Sequence, residues 1–94
     1  MIHDINALAD DKLSILYFIG CLGIPLTNGQ ITRFFIENSI INYFDLQQYI
    51  IELVSGGLLD NIETGNSQFL TLTARGNEVL SFFKKRISPT LRNI

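Results

Sequence analysis

Residues 46–80 read LQQYIIELVSGGLLDNIETGNSQFLTLTARGNEVL, and the order of signals in this stretch decides the fold. Leu46, Tyr49, Ile50, Leu53 and Val54 recur at the three- and four-residue spacing of an amphipathic helix. Ser55-Gly56-Gly57 stops that helix, because glycine takes the left-handed conformation cheaply. Residues 58–63 then read as a strand and Thr64-Gly65-Asn66-Ser67 as a polar turn. The chain returns over 68–72, where Leu70 and Leu72 alternate with Phe69 and Thr71. Thr73 offers a capping hydroxyl to a last helix, whose inward residues are Gly76, Val79, Leu80, Phe83 and Ile87. Phe82 lies off that stripe, and Ser88-Pro89 breaks the helix.

Upstream, residues 10–21 form a helix that is apolar nearly all round. Leu13, Leu16, Tyr17 and Gly20 share one face, and Ile15, Phe18, Ile19 and Leu22 fill most of the remainder. Such a helix must be covered on two sides. The spacing therefore predicts a homodimer, with Ile15, Phe18, Ile19 and the off-stripe Phe82 at the interface. Gly23 and Pro25 end this helix. Thr27-Asn28-Gly29-Gln30 is a capping box for a second helix carrying Ile31, Phe34 and Phe35 inward, which Asn38-Ser39 closes. Asn42 or Asp45 caps the third. The expected fold is mainly α with a small β-hairpin: a winged helix-turn-helix of three core helices, a two-stranded wing and a C-terminal helix. Its expected core includes Leu16, Phe34, Leu46, Ile50, Leu53, Leu58, Leu72, Leu80 and Phe83.

Ninety-four residues make one domain over 1–94, with 1–9 as a flexible lead and 88–94 as a tail. A 47% hydrophobic composition excludes a disordered chain. The most apolar run, residues 13–22, is too short to cross a bilayer, so no membrane partner is expected. The acidic start lacks the layout of a signal peptide, and a single cysteine, Cys21, forms no internal disulfide. Together these point to a cytoplasmic protein. Within its apolar helix Cys21 reads as a small buried hydrophobe.

The stretch LQQYIIELVSGGLL followed by FLTLTARGNEVLSFF resembles bacterial winged-helix regulators in general. More narrowly, DKLSILYFIGCLGIPLTNGQITRFFIEN with NYFDLQQYIIEL and KKRISPTLRNI resembles the domain-of-unknown-function 4364 family. The specific pieces are Gly23-Ile24-Pro25-Leu26-Thr27, Asn42-Tyr43-Phe44 and Leu46-Gln47-Gln48-Tyr49. The resemblance implies a winged helix and a role in transcriptional regulation. Members of that family are typically longer, so it also implies a shortened chain or a short member.

If the third helix enters a DNA major groove, its outer face carries the reading. Gln47 and Gln48 can pair with adenine and Ile51 can meet a thymine methyl. Asn42, Tyr43 and Arg33 flank that face, and Asn66 sits on the wing. Double-stranded DNA is the expected partner on these grounds. Charge argues the other way. The net charge is −2, the third helix carries Asp45 and Glu52 but no Lys or Arg, and the wing has none either. A dimerisation or docking module of the same shape is the rival expectation. Lys84-Lys85-Arg86 falls near a helix C-terminus, where cations are favourable in any case. No catalytic triad order, metal-ligand spacing or phosphate loop occurs, so neither an enzyme nor a cofactor is expected.

Overall fold

The computed structural model describes residues 5–83, and side-chain surroundings from residue 10 onward. Six elements follow in order: α1 (Ile5–Leu22), α2 (Asn28–Glu37), α3 (Tyr43–Ser55), β1 (Leu59–Thr64), β2 (Ser67–Leu72) and α4 (Ala74–Phe82). This is the mainly helical arrangement with a two-stranded antiparallel hairpin that the sequence predicts, a winged-helix-like fold. Helix α1 starts five residues before the expected position, since Ala7, Leu8 and Ala9 are strong helix formers. Ile87, the basic run from Lys84 and the tail at 88–94 lie outside the described residues.

The caps explain the boundaries. The Thr27 hydroxyl accepts the Gln30 N–H while the Gln30 side chain accepts the Thr27 N–H, a complete capping box. Asn42 caps α3 by accepting the Asp45 N–H at 2.9 Å. Both helices end in the same way. After α2, the Ile40 N–H reaches the Phe35 carbonyl and the Ser39 N–H that of Ile36, with Ser39 in the left-handed region (φ 54°). After α3, the Leu58 and Gly57 N–H groups bond to Leu53 and Val54, with Gly57 at φ 80°. This 6→1 and 5→2 pairing is the Schellman motif.

The core runs along α1. Ile15, Leu16 and Ile19 meet Ile31 and Phe35 of α2, Leu46, Ile50 and Leu53 of α3, and Leu59 and Leu70 of the hairpin. Phe18 stacks on Phe34 with centroids 4.1 Å apart, and Phe35 meets both rings edge-on. The expectation that α1 offers an interface to a second copy is therefore corrected. Ile15 and Ile19 are buried by this chain's own elements, and Phe18 is spent on Phe34. Of that group only Phe82 is exposed, at 83%, with its ring edge-on to Phe83.

Several core positions also shift. Phe34, Leu58, Leu72 and Leu80 are half-buried against the core, and Phe83 is exposed. Leu59 rather than Leu58 opens β1, because Leu58 is consumed by the turn that ends α3. Cys21 is exposed, not buried, at the far end of α1.

The hairpin pairs Leu59 with Leu72 through Thr64 with Ser67. A two-residue turn, Gly65-Asn66, joins the strands with positive φ at Gly65 only, the type II′ pattern. Leu26 adds a bridge on the other edge of β2, exchanging two backbone hydrogen bonds with Leu70 at 3.0 and 2.7 Å. At the base, the Thr73 hydroxyl accepts the Gly76 N–H (2.9 Å) and donates to the Gly57 carbonyl (2.7 Å). The Thr73 N–H bonds to the Leu58 carbonyl. Gly76 packs directly on that same carbonyl, and a Cβ there would overlap the Leu58 oxygen.

Two stability measurements check this packing. Leu53→Ala should cost about 2–5 kcal/mol in denaturant unfolding. Gly76→Ala should cost at least about 1–3 kcal/mol, because backbone must move to admit the methyl. Gly29→Ala, on an exposed helical site with room for a Cβ, is the control and should not destabilise.

Candidate nucleic-acid interface

Helices α2 and α3 make the helix-turn-helix pair, and three side chains lock them together. The Asn28 amide donates to Gln47 Oε1 (2.8 Å), Gln47 Nε2 donates to the Thr32 hydroxyl (2.8 Å), and Thr32 donates to Asn28 Oδ1 (2.9 Å). The ring is closed, with every member both giving and receiving. Such networks polarise their members and resist piecemeal disruption. Gln47 is therefore a structural clamp, and its amide is not free to read a base. Asn42 is committed as well: its carbonyl caps α3 and its amide donates to Asp45 Oδ2.

The remaining expected positions are spread over the surface. Arg33 is exposed but paired with Glu37 at 2.8 Å, which holds its guanidinium pKa above the usual value. Tyr43 is 53% exposed and meets Phe44 edge-on. Gln48 is exposed, its amide donating to Glu52. Ile51 is exposed, and Asn66 sits at the hairpin tip. Of the seven expected contact residues, Gln48 and Ile51 share the outward strip of α3. Phe44 joins them there and is 82% exposed. Sequence reading passed over Phe44, although its place in the first turn, off the Leu46–Ile50–Leu53 stripe, marks it as outward.

The flank of α3 that faces the start of α1 is acidic. Lys12 reaches Glu52 at 2.6 Å and lies 5.9 Å from the Tyr49 ring centroid. The Lys12 hydrogen bond, then that from Gln48, holds the Glu52 carboxyl below its usual range. Burial pushes the Asp11 carboxyl up, aided by the like charges of Asp45 and Asp10. Among the described residues the cations are Lys12 and Arg33, both ion-paired, and the exposed Arg75.

Two concavities adjoin this surface or lie apart from it. A cleft of about 270 Å³ runs between α3 and the hairpin, bordered by Ile51, Val54, Ser55, Asn61 and Gln68. A larger groove of about 690 Å³ lies elsewhere, where the end of α1 meets β2 and α4, with Cys21, Ile24, Asn77 and Ser81 along its edge. The sequence held no sign of it. No cluster of ligating side chains that could hold a metal occurs among the described residues. No helix there is long and apolar enough to cross a membrane.

The clamp has a measurable consequence. Gln47→Ala should lower stability by about 1 kcal/mol, from two lost hydrogen bonds at a partly exposed site. For a domain of this size that is about 4–8 °C in Tm. Gln48→Ala, which breaks only an exposed contact, should leave Tm unchanged.

Comparison with curated proteins and with solved structures finds no match. A family model does match, over residues 11–94, which takes in every element from the second turn of α1 onward. The chain belongs to the family described as domain of unknown function (DUF4364).

Proposed function

We propose that this chain is a DNA-binding transcriptional regulator of the cytoplasm, acting as a homodimer. The observation that carries the reading is the uncovered outer face of α3. That helix is held at a fixed angle by the Asn28–Gln47–Thr32 ring, it turns Phe44, Gln48 and Ile51 to solvent, and the hairpin stands beside it. A major groove admits one such helix, and a wing can follow the adjacent backbone. Exposed Phe82, packed edge-on against Phe83 at the end of α4, supports pairing with a second copy. A two-fold pair would present two α3 helices to a two-fold site.

A specific observation favours a second reading, a protein-docking module. Among the described residues Lys12 and Arg33 are already paired, which leaves Arg75 as the cation without an ion pair there to neutralise phosphates.

A salt titration of binding to random-sequence duplex DNA separates the two. DNA recognition predicts measurable binding at low salt with a shallow slope, equivalent to about two or three phosphates per subunit at roughly −0.9 each. Ile51→Glu should abolish it by adding a carboxylate to the groove-facing strip. Absence of binding at the lowest salt would reject DNA and favour docking. For assembly, Phe82→Ser should shift the sedimentation of the protein from dimer to monomer.

A further inference from the structure

The outward strip of α3 has a composition that specifies what it can recognise. Phe44, Gln48, Ile51 and Ser55 recur at intervals of four, three and four residues. At about 100° per residue they fall within about 60° of one another. They lie opposite the buried Leu46, Ile50 and Leu53. None carries a charge. The carboxylates stand together on one flank, where Glu52 is held by Lys12 and Asp45 lies in the first turn of its own helix, near the positive end of the dipole. The two large members are apolar and well exposed, Phe44 at 82% and Ile51 at 58%.

In a major groove, guanine presents two acceptors that call for Arg or Lys, and cytosine presents a donor that calls for a carboxylate. The strip offers no cation. Adenine and thymine present what it can meet: an amide-matched donor and acceptor on adenine, and an apolar methyl on thymine. We propose that Phe44 and Ile51 read thymine methyl groups beside an adenine met by Gln48, whose amide exchanges its exposed Glu52 partner for the base, so that the half-site is rich in A·T pairs. The proposal rests on the DNA reading above and adds the class of sequence and a residue, Phe44, that determines specificity.

The test begins with selection from a random duplex library at low salt. The enriched duplex is then resynthesised with deoxyuridine in place of thymidine, which removes only the 5-methyl groups. The expected result is an A·T-rich half-site and a loss of roughly fourfold in affinity per contacted methyl. Phe44→Ala and Ile51→Ala should each bind the thymine duplex more weakly and shrink the thymine-to-uracil ratio toward one. Both side chains are exposed, so thermal melting should show these variants folded. Equal binding of thymine and uracil duplexes, with random DNA still bound, would overturn the methyl reading and leave DNA binding standing. A selected site rich in G·C would do the same. A library in which nothing is retained even at low salt would overturn both.

Discussion

The contact on which the rest of the structure hangs is the seating of Gly76 against the Leu58 carbonyl. At that point α4 begins, α3 has just ended and the hairpin opens and closes. Thr73 binds the Gly57 carbonyl and caps α4 in one gesture, through a single hydroxyl. The missing side chain at position 76 lets the helix come down onto backbone. Sequence grammar of the type Leu-Thr-x-x-Gly is thus a geometric requirement. Leu72 packs, Thr73 ties the two chain segments, and Gly76 permits the approach. A substitution here disturbs the wing, the α3 terminus and α4 together, and through α4 the packing on α1.

The orientation of α3 has a different origin. Aromatic packing of Phe18, Phe34 and Phe35 fixes α2 on α1, and the Asn28–Gln47–Thr32 ring then fixes α3 on α2. The ring removes Gln47 from any outward role and leaves α3 with an uncharged strip flanked by carboxylates. The fold and the outer surface draw on the same few polar side chains of a short helix. Here the clamp has taken one amide, the cap another, and apolar groups hold the centre of the exposed face.

What could be read in advance follows the range of each interaction. Thr27, Asn42 and Thr73 were legible as caps because their partners lie three residues away. The hairpin was legible from Gly57, Gly65 and the alternation around Leu70. The fate of Gln47 was not, since its partners are 15 and 19 residues distant and an outward-pointing amide reads the same whether clamped or free. Helix α1 illustrates the converse. Its apolar circumference was plain, but periodicity alone cannot distinguish a helix wrapped by its own chain from one wrapped by a copy, and here Ile15 and Ile19 are wrapped by their own. The exposure of Cys21 is illegible for the same reason: it borders the groove where the end of α1 meets β2 and α4, elements distant from it in sequence.

The bridge from Leu26 to Leu70 makes the hairpin a cantilever. Its root is gripped on both edges, by β1 on one side and by the segment that leads into α2 on the other. Beyond Leu70 the rungs from Ile62–Phe69 to Thr64–Ser67 are paired only with each other. Backbone support on both edges of β2 therefore ends at Leu70, and the outer rungs extend beyond it as a two-stranded arm. The arm is three residue pairs long, roughly 10 Å at the rise of a strand. The side-chain ring that sets α3 on α2 contains no residue of the hairpin, so the angle at which α3 is presented is fixed without the tip.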